Sequence, residues 1–256
     1  MSRLEITPMP SEFRVADKRM AELDPDLPKL PTTCVVLGRV GSGKSSCLYS
    51  LMTKGYVYYG KGRDGKPGKK AKSVFDEVVC FVGNGEADEG FRQIPCKNLV
   101  ICHSFDSESF DNYLDELKKH QLERLEKKKP CMNVAILFDD MAATQLLKKV
   151  NGASPLERLV LTSRHEANAT IFFLSQIYKG SGFSTPIIRN NTRTWIIYNM
   201  SAPEVEKIAE EHSNHLTPDG FTQVYEEMMK RKYNFMTIDY GRPLDARIWE
   251  RFEGPV

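Results

Sequence analysis

Apolar and polar positions divide this chain into short, nearly all-apolar runs separated by longer amphipathic stretches. Cys34-Val35-Val36-Leu37, Val78-Val79-Cys80-Phe81-Val82, Leu99-Val100-Ile101-Cys102 and Val134-Ala135-Ile136-Leu137-Phe138 show no alternation. Thr170-Ile171-Phe172-Phe173-Leu174 and Thr194-Trp195-Ile196-Ile197-Tyr198 are built the same way. Runs of this length, bounded by turn residues, predict strands buried on both faces. A further strand-like segment covers 234–240.

Between these runs the period changes. Helices are predicted over 46–53, 110–129, 156–162, 203–211 and 221–230, with a loop and short helix over 180–191. In the second of them Phe110, Tyr113, Leu114, Leu117, Leu122 and Leu125 fall on one face, and Pro130 ends it. Lys127-Lys128-Lys129 at its end complement the helix dipole. Ser201 and Pro203 mark the start of the 203–211 helix. Strands alternating with helices over this length predict one α/β domain spanning 31–256, with a helix and strand extension at its C-terminal end. Residues 1–30 form a proline-bearing N-terminal arm, which either wraps the domain, contacts a neighbouring copy, or is a disordered leader. No internal repeat is evident.

Composition narrows the class. The 256 residues are 41% hydrophobic and 27% charged, as in an ordinary soluble protein, and the net charge is only +2. Attraction to nucleic acid would therefore come from local clusters of cations, not from the whole-molecule field. One cluster stands out: Lys61, Arg63, Lys66, Lys69, Lys70 and Lys72 lie among glycines over 60–72. That stretch is an exposed loop, open to two readings: a solvated loop, or a finger following a phosphate backbone. No apolar run approaches the ~20 residues that span a bilayer, and the N-terminus lacks the apolar core of a signal peptide, so an intracellular, soluble protein is expected. The six cysteines show no close pairing, and Cys96, Cys102 and His103 lack a convincing fourth ligand, so reduced thiols are expected rather than a zinc site.

The strand at Cys34 runs into Gly38-Arg39-Val40-Gly41-Ser42-Gly43-Lys44-Ser45, which fits the phosphate-loop pattern G-x-x-x-x-G-K-[ST] in a strand-to-helix context. Glycines allow consecutive backbone amides to converge on phosphate oxygens, and the following helix presents its positive end to the same charge. Lys44 would reach the β- and γ-phosphates and Ser45 would ligate Mg²⁺, with the contact surface running from Gly38 through Arg39, Val40, Gly41, Ser42, Gly43, Lys44 and Ser45 to Ser46. About a hundred residues later the strand at Val134 ends in Asp139 and Asp140. The first would hold the metal shell, and the second would orient or deprotonate a water. The strand at Thr170 ends in Ser175-Gln176, and an amide there can touch a γ-phosphate. His165 is assigned no chemistry.

Taken in order, these motifs over 31–208 resemble the FtsK/HerA superfamily of DNA-pumping ATPases, and most closely the genome-packaging ATPases of poxviruses, other nucleocytoplasmic large DNA viruses and virophages. The carriers are Gly38 to Ser45, Ile136 to Asp140, Ser163-Arg164-His165 paired with Leu174-Ser175-Gln176, and Ile188-Arg189-Asn190-Asn191. The resemblance implies a RecA-like P-loop NTPase with a mostly parallel central sheet flanked by helices. It also implies a homo-oligomeric ring that moves double-stranded DNA into a preformed capsid, contacts with capsid protein, and residence in the infected-cell cytoplasm or viral factory, or in the virion. By position, Lys44, Ser45 and Asp139 would bind Mg-ATP, Asp140 would be the catalytic carboxylate and Gln176 the sensor. Arg164 or Arg189, with Arg158 and Arg193 behind them, would complete a neighbour's site. Asp140 replaces the usual Glu, a departure the viral branch tolerates.

Two alternatives remain at this stage. One is a P-loop kinase of a small molecule or nucleotide, with the 60–72 loop as its lid. The other is a nucleotide-gated capsid adaptor with little turnover. The acids at 139 and 140 and the amide at 176 are better explained by attack of water than by a kinase acceptor.

Overall fold

The structure, a computed structural model, describes residues 17–60, 68, 70–83, 88–139, 154–179 and 185–255. Asp140 and the cations Lys61, Arg63, Lys66 and Lys69 lie outside the described residues. The strands are β1 (Thr33–Leu37), β2 (Val57–Tyr58), β3 (Lys72–Ser73), β4 (Glu77–Val82), β5 (Asn98–Cys102), β6 (Val134–Asp139), β7 (Ala169–Ser175), β8 (Thr194–Ile197), β9 (Met236–Asp239) and β10 (Ile248–Glu250). The helices are α1 (Lys44–Ser50), which continues as a wider turn over Leu51–Gly55, α2 (Asp88–Phe91), α3 (Ser107–Glu126), α4 (Pro155–Thr162), α5 (Pro186–Asn191), α6 (Ala202–His212) and α7 (Pro218–Met229).

Eight strands make one sheet in the order β10-β9-β8-β1-β7-β6-β4-β5. From β8 to β5 every neighbouring pair is parallel. β9 and β10 extend the β8 edge antiparallel, so the chain's last third completes the sheet. The 234–240 segment is thus the shorter β9, and β10 is an addition that its three residues of apolar pattern did not announce.

The unalternating strands are buried on both sides because successive side chains enter two different cores. Val35, Leu37, Val79, Phe81, Ile136, Phe138, Ile171 and Phe173 pack under α3 to α7. Cys34, Val36, Cys80, Leu137, Phe172 and Leu174 pack with α1, Tyr56 and Phe91 on the other face. In the first core the rings of Phe81, Phe138 and Phe173 stack across β4, β6 and β7 at 5.1 and 5.2 Å between centroids. That ladder stands one residue before Asp139 and fixes the end of β6.

Local signals explain the helix ends. Asp106 accepts the Ser109 amide, so α3 starts three residues before its first core aromatic. The helix ends at Glu126, so the lysines at 127–129 follow its last turn, with Lys128 left-handed at φ 52°. Ser154 and Glu157 form a reciprocal capping box at α4, a pattern legible as Ser-Pro-Leu-Glu one turn before the apolar run. Ser201 occupies the cap position of α6 but makes no side-chain cap bond.

Residues 17–30 lie against the domain. Arg19 bridges Asp17 and Asp76, the Tyr56 hydroxyl donates to the Pro28 carbonyl, and Leu23, Leu27 and Leu30 cover the second core. β2 and β3 pair antiparallel, Val57 with Ser73 and Tyr58 with Lys72. Lys70 and Lys72, before and within β3, are exposed.

One polar cluster sits at the edge of the first core, with Tyr178 and His212 buried and Glu211 exposed. The Tyr178 hydroxyl donates to Glu211 and lies 2.8 Å from His212 Nε2, while His212 Nδ1 lies 2.7 Å from the Tyr240 hydroxyl. With its proton given to the carboxylate, Tyr178 accepts from Nε2–H, and Nδ1 accepts from Tyr240. Burial holds the imidazole neutral and lowers its pKa to about 4. The unfolded chain binds a proton near pH 6.5, so this contribution to stability is present above that pH and is lost as pH falls towards 4. About 2 kcal/mol should disappear between pH 7 and pH 5. Urea unfolding at the two pH values should show that loss in the wild type and a smaller one in His212→Asn; equal losses would remove His212 as the cause.

Candidate nucleotide-binding site

At the end of β1 the chain leaves the sheet between its two neighbours. The Gly38 amide donates to the Ser175 carbonyl at 3.1 Å and the Arg39 amide to the Asn199 carbonyl at 3.3 Å. The Ser42 amide then turns back to the Arg39 carbonyl at 3.2 Å. Gly41 and Gly43 hold φ of 73° and 103°, conformations in which a side chain is strained. The loop tip is exposed, with Val40 80% accessible, and the chain enters α1 at Lys44. Lys44 is buried, and its ammonium donates to the Gly38 carbonyl at 2.7 Å and the Arg39 carbonyl at 3.1 Å. A cation is thereby held inside the loop by two of its backbone carbonyls. The Ser42 hydroxyl is buried and has no hydrogen-bond partner among the described residues, and a phosphate oxygen would satisfy it.

The sheet brings the other predicted groups to the same end. Asp139, buried, closes β6; Phe138 pairs with Phe173 in register, which sets Asp139 level with Leu174 and, across β7, with Val36. β7 lies between β1 and β6, so the acid stands two strand spacings, about 10 Å, from the loop's strand. Gln176, exposed, follows the last residue of β7 between them. Ser45 is half-buried and Ser46 exposed on the first turn of α1.

A cleft of about 890 Å³ opens from the loop and the outer side of α1. Its far wall is Tyr198, Tyr233, Phe235, Arg251 and Phe252, with Leu27 of the arm at its edge. Burial pushes the Cys47 thiol up to about 11, so it sits beside the loop as a neutral group. The far wall had no motif to announce it. The only local sign is an aromatic ending the cationic run Lys230-Arg231-Lys232-Tyr233.

The candidate arginines lie elsewhere. Arg164 precedes β7 and Arg189 and Arg193 precede β8, at the N-terminal ends of strands whose C-terminal ends carry the phosphate loop and Asp139. The five-residue β1 separates the two ends by about 16 Å. Arg164, Arg189 and Arg193 share a second cleft of about 850 Å³ with His165, Glu211 and Tyr240. Arg193 is tied to Asp239 at 3.3 Å beneath Gly241, and Arg158 is tied to Asp111 at 2.9 Å and Asp115 at 3.2 Å. Arg189 lies 3.3 Å from Glu211 and is 17% exposed, whereas Arg164 is exposed.

No protein-family model matches this sequence, and no curated protein sequence matches it. Solved structures do. The genome-packaging NTPase B204 of Sulfolobus turreted icosahedral virus 2 in complex with AMPPCP aligns with TM-score 0.50 and 14% identity over 82% of this chain and 93% of that one. Its complex with AMP aligns with TM-score 0.51 and 13% identity over the same shares, 82% and 93%. EssC of Geobacillus thermodenitrificans, ATPases 2 and 3, aligns with TM-score 0.49 and 14% identity over 70% of this chain and 34% of that one. The likeness to B204 establishes the fold, a RecA-like P-loop α/β domain, which is the fold that the resemblance to packaging ATPases implied.

The loop's tolerance of side chains is testable. A methyl group at Gly38 would lie 2.5 Å from Ser42 Oγ and 2.7 Å from Tyr198 Cβ, whereas one at Gly41 meets nothing within 4 Å. Gly38→Ala should cost about 1–3 kcal/mol through overlap, and Gly41→Ala about 1–2 kcal/mol through its positive φ alone. Urea unfolding measures both. A neutral Gly38→Ala would mean that the loop relaxes freely away from Tyr198.

Proposed function

We propose that this chain is a ring-forming ATPase of the FtsK/HerA superfamily that drives double-stranded DNA into a preformed viral capsid. The observation that carries the reading is the buried Lys44 ammonium held on two carbonyls of the loop, at the same sheet end as Asp139 and Gln176 with β7 between. The fold shared with B204, a protein described as a genome-packaging NTPase and crystallised with AMPPCP, supports the same direction.

In this reading the loop amides and Lys44 hold the β- and γ-phosphates of ATP. Ser45 and Asp139 are the protein's ligands to Mg²⁺. Their hard oxygen donors fit that ion, and among the described residues no three His, Cys, Asp or Glu side chains form a metal cluster of their own. When bound, the metal neutralises charge that develops on the phosphate oxygens. Asp140 orients the attacking water, and Gln176 reports the γ-phosphate. Arg164 and Arg189 act on a neighbour's nucleotide, because a whole strand length separates them from their own loop. Of the two, Arg164 is the more accessible. The exposed Lys70 and Lys72, with Lys61, Arg63, Lys66 and Lys69 of the same sequence cluster, contact the DNA backbone through charge alone. Among the described residues no helix is long and apolar enough to cross a membrane. The site of action is the infected-cell cytoplasm or viral factory, with capsid protein as a partner.

ATP turnover should rise with double-stranded DNA of any sequence, and the stimulation should fade as salt increases. Lys44→Ala should lower turnover at least about a hundredfold. DNA-indifferent turnover that rises with a small phosphate acceptor would replace this reading with a kinase, and binding without turnover would favour a capsid adaptor. Subunit mixing tests the arginine in trans. Arg164→Ala and Lys44→Ala proteins, each inactive alone, should regain part of the activity when mixed, since some interfaces then pair an intact loop with an intact arginine. Absence of complementation, with mixed rings demonstrated, would argue against Arg164.

A further inference from the structure

The cleft beside the phosphate loop is larger than a triphosphate needs, and its far wall is built by the end of the chain. Tyr233 lies in the turn between α7 and β9, and the residue is 55% exposed although it lines the cleft. A Cβ built on Gly43 would lie 3.7 Å from its ring edge, so the tyrosine stands directly over the loop. Behind it Phe235 packs edge-on to Phe252 at 5.2 Å and tilted to Tyr198 at 5.1 Å, and the Arg251 guanidinium lies 5.9 Å from the Phe235 ring centre.

Two features separate this wall from incidental surface. Tyr233 and Arg251 both hold left-handed backbone, φ 60° and 55°, which bulky side chains rarely adopt and which the surrounding structure must enforce. Asn234, buried, supplies that enforcement: its amide donates to the Met228 carbonyl and to Glu250, both at 2.8 Å, and its oxygen accepts from Arg251 Nε at 3.1 Å. One side chain therefore clamps the Tyr233 turn to the 250–252 turn and holds both against the loop.

We infer that Tyr233 is the platform for the purine base of the nucleotide, with Phe252 closing the apolar wall beneath it. The inference rests on the phosphate-loop reading, since the loop supplies the other half of the ligand. An exposed aromatic face beside a phosphate site gains by stacking on a heterocycle, an interaction any π-face can offer. The base is thus held by the C-terminal turns of the same subunit, and β9 and β10 contribute to binding and not only to the sheet edge.

Calorimetry on the full chain with ATP and with inorganic tripolyphosphate, which has no base, separates the two halves of the site. Tyr233→Asn keeps a residue that tolerates left-handed backbone while removing the ring, and Tyr233→Phe keeps the ring. Tyr233→Asn should weaken ATP about tenfold, Tyr233→Phe should stay within about twofold, and tripolyphosphate should bind all three proteins alike. Unchanged ATP affinity in Tyr233→Asn, or a parallel loss of ATP and tripolyphosphate, would overturn the base platform. The premise has its own control: if Lys44→Ala bound both ligands as the wild type does, the phosphate-loop reading itself would fail.

Discussion

The candidate site depends on the immobility of β1. The strand is bonded to β7 on one edge and β8 on the other, and buried on both faces. Backbone groups that leave such a strand must find partners at once, and the Gly38 and Arg39 amides do so on the ends of its two neighbours. The phosphate loop is therefore anchored at its first two residues before it turns. Its glycine conformations and the seat of Lys44 follow from that anchoring, because the loop has only Arg39 to Gly43 in which to reverse into α1.

The same sheet sorts functional groups by end. Parallel strands send every strand-to-helix turn to one edge, so the loop, Asp139 and Gln176 gather there. The helix-to-strand turns that carry Arg164 and Arg189 gather at the other. In the function proposed above, an arginine at that end would serve a neighbouring subunit's nucleotide. The two ends are not isolated from each other. Tyr178, two residues beyond Gln176, donates to Glu211, and Glu211 lies beside Arg189. The strand that ends at the candidate sensor and the cleft of arginines thus share one polar cluster.

Strain is distributed unevenly. Lys128, Asn168 and Asn214 hold left-handed backbone at turns, two of them as asparagine, which accommodates it. Tyr233 and Arg251 hold it beside the loop, where side-chain hydrogen bonds through Asn234 offset the cost. This is the part of the cleft for which no linear motif exists, since its residues come from two turns about twenty positions apart.

Patterns that are local in the chain were readable from it. The six apolar runs, the phosphate loop, and the acid and amide at strand ends are each set by the chemistry of a few consecutive residues, and the strand cores stand where that chemistry put them. The capping box at Ser154 is equally local. What sequence alone left open was relative position. It could not rank Arg158, Arg164, Arg189 and Arg193, because an arginine's availability depends on which carboxylate faces it. Asp111, Asp115, Asp239 and Glu211 reach Arg158, Arg193 and Arg189 from other elements. It could not order the strands, so the place of β7 between β1 and β6 was hidden. Nor could it bring Tyr233 and Phe252 to the loop, for long-range pairing of β9 with β8 and β10 decides that contact, and no spacing within a single segment encodes it.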